Sequence, residues 1–400
     1  MVAAVAGSPP VIPAGSQSVI AAGSRPVSGA AVEVERQFGL DVLRATAAVM
    51  VVMAHGMMYA AATIPALILP GVILATLGVE IFFVLSGFLI APGLFAVAEG
   101  RMTALRFWLR RAWRTLPSYY VFLAINLLIA AWFAADRVPN GSYALFSQSL
   151  VSPPASAFFA ESWSLAVEEW FYLSAAIAAG LSFRFGGNSG AQFRFWLWVL
   201  VLVSPVARAT WSVMQGYEWD AGLRKLTLFR LDAIAIGVLT AAQVRSGISA
   251  VARRRCAALG IALCVLAIAY VGHVVSAGQY LAPTTAFGPA IAGALALSAI
   301  GFGTALVLPA ASEMQRPSAP TPSVRVISRI ALWSYALYLC HFPLLLLFDQ
   351  FVPGMRARVP QPLMIGLSLW WVAVFVFAAI FYTQIERRFL ALRDRVMRTN

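Results

Sequence analysis

Five stretches of this chain, Leu116–Ala135, Phe195–Met214, Cys256–His273, Thr285–Leu308 and Leu363–Tyr382, run with at most a single charge in each. Each approaches or exceeds the roughly 18–20 residues that a helix needs to cross a bilayer core about 30 Å thick. Lipid offers the backbone no hydrogen bonds, so blocks of this length must satisfy their own and are helices. A membrane β-barrel would require short alternating segments instead, and the sequence does not have them. The same pattern, read along the whole chain, predicts an all-α polytopic bundle of about ten transmembrane helices. The spans fall near 39–60, 70–93, 116–135, 164–182, 195–214, 226–243, 256–275, 284–308, 328–349 and 362–385. Composition agrees: 61% of the 400 residues are hydrophobic and 11% are charged, against about 25% charged in soluble domains.

A net charge of +13 raises the question of a nucleic-acid partner, and its distribution answers it. With the N-terminus in the cytoplasm, the cytoplasmic segments collect Arg101, Arg106, Arg110, Arg111 and Arg114, then Arg253–Arg255, then the arginines beyond Glu386. The outer loops hold only Arg137, Arg224, Lys225, Arg356 and Arg358. Such an asymmetry orients membrane proteins, so both termini are expected in the cytoplasm, with the lipid bilayer as partner and no nucleic acid. Cys256, Cys264 and Cys340 sit within or at the edge of spans without ligand-like spacing, so neither a disulfide framework nor a metal site is expected.

Residues 1–36 are rich in Ala, Gly, Ser, Pro and Val and lack a basic segment followed by an apolar core. They read as a flexible cytoplasmic tail and not a signal peptide. A single membrane domain is expected over 37–386, with a short basic amphipathic tail at 387–400. The halves show no clear self-similarity, which disfavours inverted-repeat transporters. No G-x-S-x-G nucleophile and no Gly-rich phosphate loop occurs, and nothing in the sequence specifies an oligomeric state.

Ionisable groups inside a membrane are costly and mark function or a specific partner. The first span offers Asp41, Arg44 and His55. Eleven helical steps from Arg44 to His55 turn about 20° beyond three full turns, placing both on one face about 16 Å apart along the axis. Asp41, three residues before Arg44, is spaced to pair with it. The loop after the second span carries Arg110, Arg111 and Arg114. The bland account of this cluster is orientation, whereas the functional one is an anion site, because guanidinium forks match phosphate oxygens. In E-S-W-S-L-A-V-E-E-W-F-Y-L, Trp163 precedes the paired carboxylates Glu168 and Glu169, about a turn inside the fourth span. Glu168 is expected at the depth of His55, where it would orient the imidazole and raise its basicity. For one of the two glutamates, a helix-start role favoured by the macrodipole suffices. Fainter candidates are Glu80, a carboxylate deep in the second span that needs a partner, Arg230 with Asp232, and His341 in the ninth span.

These residues fall in blocks that together resemble a known family. F-G-L-D-V-L-R-A-T-A-A-V-M-V-V-M-A-H, G-V-E-I-F-F-V-L-S-G-F-L-I, R-F-W-L-R-R-A-W-R-T-L-P, S-W-S-L-A-V-E-E-W-F-Y-L, F-R-L-D-A, Y-L-C-H-F-P-L and I-E-R-R-F-L resemble, in order, the motifs of the bacterial integral-membrane acyltransferases of family 3. Glu80 stands where that family commonly has Asp, and Cys340 where an aromatic often precedes the histidine. The resemblance implies a ten-span enzyme of the bacterial inner membrane that takes an acyl group, acetyl above all, from cytoplasmic acyl-CoA as donor substrate, with no bound cofactor. It implies an acceptor hydroxyl on a cell-envelope saccharide or a small secondary metabolite, donor binding by Arg44, Arg110, Arg111 and Arg114, and an essential histidine at His55. Direct transfer with His55 as general base is the expected chemistry, and an acyl-imidazole on His55 is the variant. The rival from another class is a transporter or flippase of envelope lipid or sugar precursors, using the same charges as a path. A sensor or structural membrane subunit is a third reading.

Overall fold

Apolar blocks punctuated by Pro, Gly and Ser resolve into helices in the computed structural model, which describes residues 37–133, 141–152, 158–215, 219–278, 287–356 and 359–399. The tail expected at 1–36 lies outside the described residues. In chain order the helices are α1 (Phe38–Ala60), α2 (Ile68–Ala98), α3 (Ala104–Phe133), α4 (Ser162–Phe185), α5 (Ser189–Gln215) and α6 (Leu231–Arg245). They continue with α7 (Ala250–Ser276), α8 (Phe287–Ser312), α9 (Pro322–Phe351), α10 (Pro360–Phe381) and α11 (Arg387–Thr399). The described residues contain no strand. Helix starts follow local chemistry. Ser249 and Thr321 accept from Ala252 N and Val324 N at the heads of α7 and α9. Pro322 and Pro360 occupy first-turn positions where a missing N–H costs nothing.

Among the described residues, nine helical segments are long and apolar enough to span a bilayer, against ten expected. The discrepancy is α4, which has the length, at 24 residues, but carries Glu168, Glu169 and Arg184. Those charges lower its hydropathy; packing buries Glu169 and half-buries Glu168, while Arg184 near the helix end is exposed. The segment expected as a basic tail at 387–400 forms α11.

The bundle has a centre and a rim. The apolar window of α2 is 72% buried and that of α7 only 22%, so α2 is wrapped by other helices while α7 turns most of its surface to the bilayer. Backbone contact between α2 and α6 is what allows such a centre. A Cβ added at Gly87 would lie 2.0 Å from Ile234 O, and one at Gly237 would lie 2.0 Å from Val84 O. Small residues permit close helix approach where lipid supplies no hydrophobic drive between helices.

Buried ion pairs then tie the centre together. Glu80 of α2 pairs with Arg230 at the head of α6, so the carboxylate that needed a partner has one. Asp232 pairs with Arg208 of α5 at 2.8 Å and also accepts from Ser298 of α8 at 2.8 Å. All four charged side chains are essentially inaccessible. Interhelical contacts also define the two ends of the bundle. Gly39 N donates to Met314 O at 3.1 Å, so α1 begins where α8 ends. Tyr59 donates to Asp349, so α1 finishes where α9 finishes.

Candidate active site

Three cations read from the sequence converge on one cavity. Arg44 of α1 and Arg111 and Arg114 of α3 line it together with Ser86 of α2, Glu168 and Tyr172 of α4, and Tyr335 and Tyr338 of α9. Arg44 lies within 4.0 Å of Asp41, the partner its spacing suggested. Arg111 donates to Tyr172 Oη at 3.2 Å and its guanidinium stands 4.8 Å from that ring's centroid. Its Nε is buried with no hydrogen-bond partner. The cavity holds about 100 Å³.

Helical phase sorts the predicted residues. Arg111 and Arg114, three apart, face the cavity, while Arg110 is exposed and does not line it. The i, i+4 spacing puts Arg110 and Arg114 on neighbouring rows, but the packing of α3 turns the 111/114 edge inward. Of the two glutamates, Glu168 lines the cavity, within hydrogen-bond reach of the Ser86 and Tyr172 hydroxyls and close to Arg111. Glu169 lies aside and accepts from Thr115 Oγ1 at 2.6 Å. Trp163 packs edge-on against Phe83 at 6.0 Å and lies under the Arg224 guanidinium at 5.0 Å.

His55 is oriented by a histidine, where the sequence suggested a carboxylate. His341 Nε2 is 3.2 Å from His55 Nδ1. His341 Nδ1 lies 3.0 Å from Leu337 O, and His55 Nδ1 lies 2.9 Å from Val51 O. A carbonyl can only accept, so both neutral rings carry their proton on Nδ1. The Nδ1–H of His55 is shared between Val51 O and the lone pair on His341 Nε2, which leaves the second lone pair on His55 Nε2, the nitrogen a general base needs. Helix contacts hold the pair still. Trp370 of α10 donates to His341 O at 3.0 Å. A Cβ at Gly56 would come within 2.9 Å of the same indole, so only glycine beside His55 lets α1 reach α10. Glu168 serves the arginine cavity instead.

Tyr338 joins the two centres. It lines the arginine cavity, its ring centroid stands 5.9 Å from that of His341, and its hydroxyl bonds to Ser164 and donates to Glu161 O. One aromatic ring therefore separates the arginine-lined space from the histidine pair.

A family model described as an acyltransferase domain, family 3, matches residues 37–383. The chain belongs to that family. It is a membrane acyltransferase, and the cavity and histidine pair lie inside the matched region. No curated protein and no solved structure matches the chain.

Sequence reasoning passed over two features of this acyltransferase, both on π-helical turns, whose extra residue per turn re-aims side chains and often marks functional positions. The turn Trp219–Arg224 carries Asp220, which pairs with Arg224 at 2.6 Å and Lys225 at 2.5 Å. All three charges act on His55. The turn Tyr382–Glu386 buries Glu386 within electrostatic reach of Arg114 and Arg44. The loop segment gave no periodic signal by which to find Asp220, whereas Glu386 lay within the I-E-R-R-F-L block without being singled out from it. Among the described residues, no group of three His, Cys, Asp or Glu side chains is gathered as metal ligands would be.

Proposed function

We propose that the protein moves an acyl group, acetyl in the simplest case, from cytoplasmic acyl-CoA to a hydroxyl of a saccharide or small metabolite, with His55 as general base. The observation that carries this reading is the meeting of two chemistries one ring apart. Arg44, Arg111 and Arg114 line a cavity with forked donors suited to phosphate oxygens, and Tyr338 separates it from a histidine whose hydrogen bonds leave the Nε2 lone pair free.

The positive-inside asymmetry of the sequence supports a cytoplasmic location for the end where α1 begins. Acyl-CoA then enters from that end, phosphates on the arginines, and threads its pantetheine arm past Tyr338 toward His55. The acceptor arrives from the other end. His55 Nε2 takes the hydroxyl proton while the oxygen bonds to the thioester carbonyl carbon. The tetrahedral adduct collapses with cleavage of the C–S bond, and the departing thiolate takes the proton back, releasing the ester and the free thiol. His341 holds the ring of His55 in the required tautomer and receives none of the acyl group.

The test is acceptor-dependent release of the CoA thiol from acetyl-CoA by the purified protein in nanodiscs, using fractionated envelope glycans and hydroxylated metabolites as acceptors. The expected result is thiol release with label appearing in one fraction, and none with His55→Ala. Transport of an acceptor without consumption of any thioester would replace this reading with that of a flippase.

A further inference from the structure

The arginine cavity is too small for a whole donor. Pockets that enclose drug-sized ligands run to about 300–1,000 Å³, and this one holds about 100 Å³, so the nucleotide end of any acyl-CoA must lie at its mouth. Packed against α3, the helix that brings Arg111 and Arg114 into the cavity, is α11, which lies beyond the family-matched residues 37–383. Arg106, near the start of α3, donates to Met397 O of α11 at 3.0 Å, fastening the two helices at their ends. Along α11, Phe389, Leu390, Arg393, Val396 and Met397 are half-buried, whereas Arg387, Arg388 and Arg395 are exposed. The half-buried positions recur at three- and four-residue spacing, the pattern of one helical face, and a single arginine belongs to that face.

That arginine is placed against the donor site. Arg393 is close enough to Arg114 to repel it, and its side chain is 21% exposed, so it is open at one edge. Arg111, Arg114 and Arg393 thus form a run of like charge, with Glu386 beside Arg114 and Asp394 against Arg393 at 2.7 Å as partial counter-charges. At the inner end of the run the buried Arg111 Nε has no hydrogen-bond partner. Assembling three guanidinium groups, one with an unmet buried donor, costs free energy that a polyanion recovers.

We propose that α11 is part of the donor site and that Arg393 binds the ribose 3′-phosphate of the acyl-CoA, while the cavity arginines take the pyrophosphate. This rests on acyl-CoA being the donor. The distinction is chemical: the 3′-phosphate is the donor's most remote anion from the thioester, and Arg393 is the most remote arginine of the run from the histidine pair. Asp394, which accepts from Arg393 Nε and Nη2, fixes the fork at the helix surface.

The experiment compares acetyl-CoA with acetyl-dephospho-CoA, which lacks only the 3′-phosphate, as donors for the full-length protein in nanodiscs. Arg393→Ala is expected to raise KM for acetyl-CoA about tenfold, the scale of one charge-assisted hydrogen bond, with kcat unchanged. Its KM for acetyl-dephospho-CoA should equal that of the wild type, and Arg393→Lys should recover part of the loss. Equal KM increases for both donors, a fall in kcat alone, or no change would overturn the assignment while leaving the donor reading intact. A wild-type protein that uses neither thioester would overturn both.

Discussion

His55 and His341, 286 positions apart in sequence, share a proton across 3.2 Å between Nδ1 of the first and Nε2 of the second. In a membrane interior a carboxylate orienting a histidine would itself need a counter-charge. A second neutral imidazole, anchored on Leu337 O, fixes the tautomer without adding charge. Its position on α9 links His55 to Tyr338, and so to the arginine cavity, within a single helical turn.

On the proposed mechanism, removing His55 should therefore cost more than removing its support. His55→Ala is expected to lower kcat by about 10²–10⁴, the usual contribution of a positioned general base, while the protein still inserts and accumulates. His341→Ala should lower kcat by less, and His341→Gln, which keeps an acceptor for the His55 Nδ1–H, should recover part of it. Steady-state turnover with membrane yield as the control checks this. Near-normal turnover by His55→Ala would remove the histidine from the mechanism.

The arginines should separate by helical face and not by sequence adjacency. Arg111→Ala and Arg114→Ala should each raise the donor KM about tenfold or more, since each loses charge-assisted bonds from a half-buried site. Arg110→Ala, on the exposed face, should change it less than twofold, within the small effect usual for exposed charges. Equal effects at all three positions would mean that the loop acts through orientation or bulk charge.

What the sequence revealed and what it hid divide along a physical line. Span positions were legible because hydrophobic length is a property of the chain itself: the first span, expected at 39–60, is α1, Phe38–Ala60. The third, expected at 116–135, starts twelve residues early, at Ala104, because hydropathy detects only lipid-facing residues and α3 continues as an arginine-bearing helix beyond them. Arg44, Glu168 and His55 were named from charge in apolar surroundings, and Arg111 and Arg114 from an arginine cluster between two spans. Their grouping was not legible. Whether Arg110 or Arg111 faces inward depends on how α3 is rotated against α4 and α9, and the assignment of Glu168 to arginine and of His341 to His55 depends on contacts between helices far apart in the chain.

The central ion pairs make a prediction about stability alone. Arg208→Ala would leave Asp232 buried with only Arg230 and Ser298 nearby. Stranding one member of a buried pair typically costs about 3–5 kcal/mol. A lower midpoint in thermal unfolding followed by size-exclusion should accompany the change. The double variant Arg208→Leu/Asp232→Leu should be less destabilised than Arg208→Ala, because no charge is then stranded. A single variant as stable as the parent would show that the pair is hydrated or repacks.

The last prediction concerns sidedness, and it separates an enzyme from a transporter. Arg44 lies near the start of α1 and His55 near its end, about 16 Å further along the axis, with Tyr338 between the arginine cavity and the histidine pair. On the His55 side stand Asp220, Arg224 and Lys225, polar groups suited to a hydroxylated acceptor. An enzyme built in this order takes its donor from one face and its acceptor from the other. In sealed vesicles of known orientation, label from acyl-CoA should reach an impermeant acceptor only when acyl-CoA is supplied at the face where α1 begins and the acceptor at the opposite face. Arg224→Ala should raise the acceptor KM while leaving the donor KM unchanged, because Arg224 belongs to the far side of the ring. A flippase would instead carry acceptor across with no acyl-CoA present. Transfer that required both substrates on the same face would refute the cross-membrane path, and the acceptor would then have to reach His55 from the arginine side, past Tyr338.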